Sequence, residues 1–160
     1  MNPSEKNQPD AANSGVFRPP LVYLGALVLG LVLHLVFPIT VVRTFANAPI
    51  GLIIILVAVL LFLASVRTFR AAGTPVPGNR PTTAIVRSGP YSFSRNPIYL
   101  AFSLLLLGIS IWIRAGWLLV TLAAAIGIMS FVVIPREERY LEARFPGDYM
   151  PYKASVRRWL

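Results

Sequence analysis

Cysteine is absent from this 160-residue chain. That excludes disulfides, thiol chemistry and anchoring through a sulfur-linked lipid, and gives no sign of the redox compartment. Histidine occurs once, as His34, and without Cys or a second His it cannot complete a metal site of ordinary composition. Carboxylates are scarce and unevenly placed: after Asp10 none occurs until Glu137. No Gly-x-Gly-x-x-Gly, P-loop or Gly-x-Ser-x-Gly pattern is present. Rossmann-type cofactor binding, nucleotide hydrolysis and serine-hydrolase chemistry therefore have no support. Internal repeats are lacking, and no polar stretch is large enough to fold as a second domain.

Apolar length is what the chain does have. Apolar residues make up 56% of it and the mean hydropathy is +0.66, too high for a soluble domain. A helix needs roughly 20 mostly apolar residues to cross a ~30 Å hydrocarbon core. The runs Leu21–Val42, Pro49–Val66, Pro97–Ile113 and Trp117–Ile134 meet or approach that length. The last two are joined only by Arg114-Ala115-Gly116, which predicts a tight helical hairpin. Runs this continuous exclude the alternating pattern of a barrel. The expectation is an all-α, polytopic membrane protein with four transmembrane helices, a cytoplasmic loop and amphipathic C-terminal helices. It forms a single domain over residues 1–160, with 1–20 as a flexible cytoplasmic tail. No small-x-small cleavage pattern follows the first run, which is expected to be retained.

Basic residues predict the orientation. Of 15 Lys and Arg, only Arg43 and Arg114 fall on one side of the predicted helices. The rest lie in the N-terminal tail, in the loop from Arg67 to Arg95, and in the tail from Arg136 to Arg158. Excess Lys and Arg mark cytoplasmic segments, so both termini and the central loop are expected in the cytoplasm, in a bacterial inner membrane. The net charge of +9 then speaks for topology and for contact with anionic lipid. Nucleic acid is not an expected partner, because no stripe of aromatic and basic residues lies outside the membrane-proximal segments.

Within the apolar runs, His34 is expected to face the bundle and bond a neighbouring helix. A proton-carrying or ligand role is the alternative. Ala123 and Gly127 form a small-x-x-x-small pair that predicts close packing within the bundle, or a dimer seam. Past the fourth run come Glu137, Glu138 and Glu142 with Arg136, Arg139 and Arg144 interleaved. For Glu138, Glu142 and Arg139 this predicts a solvated helix face laced by i,i+4 pairs. Glu137 shares a face with Leu141 and Phe145 and is expected at the top of the apolar side. Phe145-Pro146-Gly147-Asp148 predicts a break. Tyr149, Tyr152, Val156 and Trp159 then recur at helical spacing opposite Lys153, Arg157 and Arg158, which predicts a basic amphipathic helix with Trp159 anchored in the interface.

The segment Ser88-Gly89-Pro90-Tyr91-Ser92-Phe93-Ser94-Arg95-Asn96-Pro97-Ile98-Tyr99 carries more chemistry than a membrane-entry loop requires. Two tyrosines, an arginine, an amide and two prolines converge there, a stiff and donor-rich wall at the water–lipid boundary. With the C-terminal tail pinned against the same end of the bundle, a pocket between the two is the expected ligand site, open in part to lipid.

Thr82-Thr83-Ala84-Ile85-Val86-Arg87-Ser88-Gly89-Pro90-Tyr91 and Arg95-Asn96-Pro97-Ile98-Tyr99, followed by Glu137-Glu138, Leu141, Phe145, Gly147, Tyr149 and Tyr152, resemble the isoprenylcysteine carboxyl methyltransferase and phospholipid methyltransferase superfamily. The resemblance covers residues 67–160, with its two halves in order. It implies an integral-membrane enzyme that binds S-adenosylmethionine under the loop and tail while a lipophilic acceptor enters from the bilayer. Carried over by position, the implied cofactor contacts are Thr83, Ala84, Ile85, Val86, Tyr91, Asn96, Pro97, Ile98, Tyr99 and Glu137. The chemistry is compatible: Tyr91 and Tyr99 offer aromatic faces to a sulfonium, and Glu137 can accept from ribose hydroxyls or an ammonium. Three positions depart from the family pattern. Asn96 stands where many eukaryotic relatives have His, which keeps amide hydrogen bonding but not imidazole proton transfer. Val133 occupies the position of a substrate-binding arginine, for which Arg136 is the nearest substitute. Pro146 sits inside the usual Phe-Gly step.

Methyl transfer from a sulfonium calls chiefly for alignment and exclusion of water. A carboxylate acceptor needs no base; an amine must arrive neutral or lose a proton, for which Glu138 is the local candidate. Two other readings stand beside this one. Membrane sterol reductases share a similar Arg-His-Pro-x-Tyr tail and bind NADPH, but are longer. A non-catalytic adaptor would have no need of converging Tyr, Asn and Glu side chains.

Overall fold

The computed structural model describes residues 18–40, 47–73 and 82–160. The expected N-terminal tail (residues 1–17 of it), the end of the first apolar run, Arg43 and Arg80 lie outside the described residues.

Among the described residues the regular structure is helical, apart from one isolated bridge between Thr40 and Ala115. Helix α1 spans Pro19–Val36, with proline at its start, where the missing N–H costs no bond and the fixed φ suits the first turn. It stops short of the expected Val42. Phe37 precedes Pro38, whose ring disfavours the helical region for the residue before it, and Phe37 adopts φ −132° and ψ 79°. Helix α2, Asn47–Ala71, is longer than its apolar run. Its extension carries Phe69 to a buried contact with Val86 and Tyr91 of the following loop. Helix α3 matches its predicted bounds, Pro97–Ile113, and closes on a left-handed Arg114 at φ 59°.

The predicted fourth run continues well past Ile134. Helix α4, Gly116–Ile128, passes through a widened π turn at Met129–Val133 into helix α5, Ile134–Arg144. Pro135 is the cause. Its ring crowds the carbonyl of the preceding turn and it has no N–H to donate. The ladder opens so that the Ile134 N–H reaches the Met129 carbonyl, five residues back. The next donor in that pattern would meet the Ser130 carbonyl, but it belongs to Pro135. Helix α6, Pro146–Ser155, follows the break at Phe145.

Helix α2 packs on α3, α1 on α4, and α3 on α4. Glycines set the closest crossings. A Cβ on Gly51 would lie 2.6 Å from the Trp112 backbone nitrogen, and one on Gly108 would lie 2.9 Å from the Gly51 carbonyl oxygen. Gly30 of α1 likewise lies against Leu118 and Thr121. The expected Ala123–Gly127 contact within the bundle is not made: Ala123 is exposed and Gly127 faces open space. His34 also departs from expectation, because its buried Nδ1 has no hydrogen-bond partner among the described residues.

Large apolar side chains are exposed along α1 and α2, Leu35 and Ile53 among them, an outer surface suited to lipid rather than water. The helices Pro19–Val36, Ala48–Ala71 and Gly116–Arg144 are long and apolar enough to cross a membrane; the apolar Pro97–Ile113 is shorter. These features are those of an integral membrane protein.

Candidate functional site

The candidate site residues gather where α2 ends, α3 begins and α5 and α6 fold back. The loop before α3 is stiffened by a 3-10 turn, Gly89–Ser92. Gly89 adopts φ 57°, and a Cβ there would lie 2.8 Å from the Thr68 hydroxyl, so only glycine lets the turn rest on α2. The Tyr91 ring meets Phe69 edge-on, with centroids 4.7 Å apart. Ser94, fully buried, accepts the Asn96 N–H at 3.2 Å, and Pro97 then starts α3.

Two residues into that helix, Tyr99 donates its hydroxyl to Glu137 Oε1 at 2.6 Å. Glu137 sits in the first turn of α5, half-buried at the top of the apolar face as expected. A short O–H···O⁻ bond is charge-assisted, and here it links the start of α3 to the start of α5. Tyr91 is buried close by. Burial above all, then the nearby Tyr152 and the charge of Glu137, push its hydroxyl above the ordinary tyrosine value. Tyr149 and Tyr152 shift the same way, again mainly through burial, so all three remain neutral donors at physiological pH.

Glu138 requires a correction. It is 6% exposed rather than solvated. Arg158 forks onto it, Nε to Oε1 at 3.0 Å and Nη2 to Oε2 at 2.7 Å, and Arg95 Nη1 lies 3.1 Å from Oε1. A carboxylate whose two oxygens both carry guanidinium donors is poorly placed to take a proton from an acceptor. It acts instead as the anion that holds two cations. Arg95 also bonds the Tyr149 hydroxyl at 3.3 Å. The i,i+4 pairs expected for Glu142 are likewise replaced by a link between helices, to Lys153 of α6. Arg139 stays exposed and bonds its own helix at the Pro135 carbonyl.

Other predicted residues divide. Val86 is buried against Phe69 and Tyr91, Pro97 is fully buried, and Ile98 packs on the main core. Their side chains serve packing. Thr83 and Ala84 are exposed and Ile85 is half-buried. Asn96 donates its amide to the Arg158 carbonyl at 2.9 Å, tying the loop to the tail. Arg136 is exposed on α5, and Val133 is buried in the π turn. The helix expected to carry Trp159 ends earlier, at Ser155, and the indole N–H reaches the Ser130 hydroxyl at 3.2 Å. Tyr152 bonds the Tyr91 carbonyl at 2.8 Å, and Arg87 bonds Asp148.

Sequence reasoning missed Tyr23, Ser103, Ser130 and Arg158. Tyr23 of α1, 3% exposed, donates to the Tyr99 carbonyl at 3.1 Å and lies 2.8 Å from the Ser103 hydroxyl. A lone tyrosine within an apolar run was the available signal, since a buried hydroxyl requires a partner.

A family model described as phospholipid methyltransferase matches residues 46–147. The chain belongs to this family. The match spans α2 to the start of α6 and includes Tyr91, Tyr99 and Glu137. It bears out the family resemblance, and family membership implies a membrane methyltransferase. A Haemophilus influenzae protein described as uncharacterized is 37% identical over 71 residues, covering 39% of this chain and 100% of that protein. No solved structure matches significantly.

Proposed function

We propose that the protein transfers a methyl group from S-adenosylmethionine to a lipophilic acceptor that reaches the site from the bilayer. The observation that carries this reading is the Tyr99–Glu137 contact, formed inside the family-matched segment between the two motif halves. The donor set suits the cofactor. Glu137 is a half-buried acceptor for ribose hydroxyls or an ammonium, and the faces of Tyr91 and Tyr99 suit a sulfonium. When bound, that sulfonium supplies an already activated methyl group.

The chain's own part is positional. Tyr99 orients the Glu137 carboxylate, Tyr91 and Val86 close the loop side with apolar surface, and the α6 tyrosines hold the loop down and keep water out. Backbone groups of Thr83, Ala84, Ile85 and Val86 would meet an adenine edge, and Arg136 an acidic acceptor group. With Glu138 held by two arginines, a carboxylate acceptor or an amine arriving neutral fits the site better than one needing deprotonation there. In the same reading α3 also crosses the membrane as a hairpin with α4, giving four crossings. Both termini and the loop lie in the cytoplasm, in a bacterial inner membrane.

The test is calorimetric titration of the full chain in detergent with S-adenosylhomocysteine. Wild type binds it and Glu137→Ala, still folded by circular dichroism, does not. Equal affinity in the two would remove Glu137 from the site; no binding by wild type would remove the methyl donor.

A further inference from the structure

We propose that Arg158 is a positioning residue for methyl transfer, setting the spacing between Tyr99 and Glu137 while touching neither. The inference rests on the methyl-donor reading of those two residues.

Arg158 lies beyond α6, outside the family-matched segment, yet it holds both halves of the site. Its guanidinium forks onto Glu138 at 3.0 and 2.7 Å. Glu138 is the neighbour of Glu137 in the first turn of α5, so the fork fixes the rotation of the turn that presents Glu137. The same guanidinium reaches the Ser130 carbonyl through Nη1 at 3.4 Å. Ser130 is half-buried, and its carbonyl is the one that Pro135, having no N–H, cannot serve in the π turn. Through its backbone, Arg158 accepts the Asn96 side-chain amide at 2.9 Å. The preceding carbonyl, of Arg157, accepts the Arg95 N–H at 3.0 Å. Residues 95 and 96 are the entry to α3, one turn before Tyr99.

Trp159 completes the strap at the Ser130 hydroxyl. Loop, π turn and α5 thus meet on one short segment. Bidentate fork geometry transmits orientation as well as charge, which a lysine at 158 cannot reproduce. Were Arg158 only a staple, its loss would lower the melting temperature and leave the affinity of the folded protein unchanged.

The experiment uses the full chain in detergent micelles, with S-adenosylhomocysteine as the probe, well below the melting temperature of each variant. Arg158→Lys and Arg158→Ala are expected to weaken affinity on the order of tenfold to a hundredfold, as small misplacements near a site do. Lys153→Ala, which cuts the Glu142 pair between α5 and α6, retains wild-type affinity. A second readout exploits the absence of cysteine. Ser94 is fully buried and accepts the N–H of Asn96, whose side chain bonds the Arg158 carbonyl, so Ser94→Cys resists a water-soluble maleimide in the wild-type background and reacts when Arg158→Lys or Arg158→Ala is added.

Wild-type affinity in both Arg158 variants overturns the proposal, as does unchanged protection of the cysteine. If Arg158→Ala does not fold, Arg158→Lys, which keeps the charge, decides the matter alone. Failure of the wild type itself to bind the probe overturns the methyl-donor reading and the positioning role with it. Binding by the wild type and equal binding by the variants overturns the positioning role only.

Discussion

Tyr23 and Tyr99 are 76 positions apart, and the hydroxyl of the first donates to the carbonyl of the second at 3.1 Å. Helix α1 lies outside the family-matched segment, yet it supports the residue that holds Glu137. Tyr23→Phe removes this bond and the Ser103 contact while keeping the ring against Phe102. The expected loss is about 1 kcal/mol of stability, the usual net worth of a neutral hydrogen bond, together with a several-fold weaker affinity for S-adenosylhomocysteine. Thermal melts and titration calorimetry on the same preparation check both.

Tyr99→Phe isolates the phenol from the ring. The aromatic face remains, and the 2.6 Å bond to Glu137 is lost. A hydrogen bond to a charged group contributes about 1.5–3 kcal/mol, so affinity is expected to fall by about tenfold to a hundredfold. If Tyr99 acted through its ring alone, Tyr99→Phe would bind like wild type.

Glu138→Ala leaves Arg95, whose side chain is 10% exposed, without its carboxylate. Removing one partner of a buried ion pair costs about 3–5 kcal/mol. Glu142→Ala breaks a more exposed pair, expected to be worth less than about 1 kcal/mol. Denaturant titration comparing the two variants should show Glu138→Ala as much the weaker protein; parity would mean that the arginines find other partners.

Alkaline pH should destabilise the fold. Tyr91, Tyr149 and Tyr152 keep their protons to higher pH in the folded state than the ordinary tyrosine value near 10 allows. Below that value folded and unfolded chains are equally protonated and the full stability is present. Above it the unfolded chain releases protons that the folded protein retains, and stability declines. The melting temperature is therefore expected to be level from about pH 7 to 9 and to drop beyond about pH 10, with a shallower drop in Tyr152→Phe.

The glycine crossings give a packing test. Gly51→Ala places a methyl 2.6 Å from the Trp112 backbone nitrogen, whereas Gly127→Ala meets nothing within 4 Å. Overpacking of this kind costs about 1–3 kcal/mol, so Gly51→Ala should melt well below wild type and Gly127→Ala alongside it.

The bounds of α3 were legible because Pro97 and Arg114-Ala115-Gly116 mark both ends within the chain itself. Glu137 was separable from Glu138 as the residue aligned with Leu141 and Phe145. What the sequence hid was long-range. Nothing local distinguishes Arg158 from Arg157, since their difference lies in which one finds Glu138. Glu138 reads as surface because it stands in a run of interleaved acids and arginines, whereas its true partners, Arg95 and Arg158, come from distant segments. Glycine roles were misassigned for the same reason: Gly127 has the small-x-x-x-small spacing, but Gly51 and Gly108 have the neighbouring helix.

The opened turn ahead of Pro135 has a directional consequence. One additional residue in a helical turn re-phases everything downstream by about 100°. Glu137 therefore occupies the bearing that Arg136 would have on an uninterrupted rod. Were the proline replaced and the ladder to close, a cation would swing toward the Tyr99 hydroxyl and the acid would turn aside. Which sign of charge greets an incoming molecule is thus decided by a pyrrolidine ring two residues upstream.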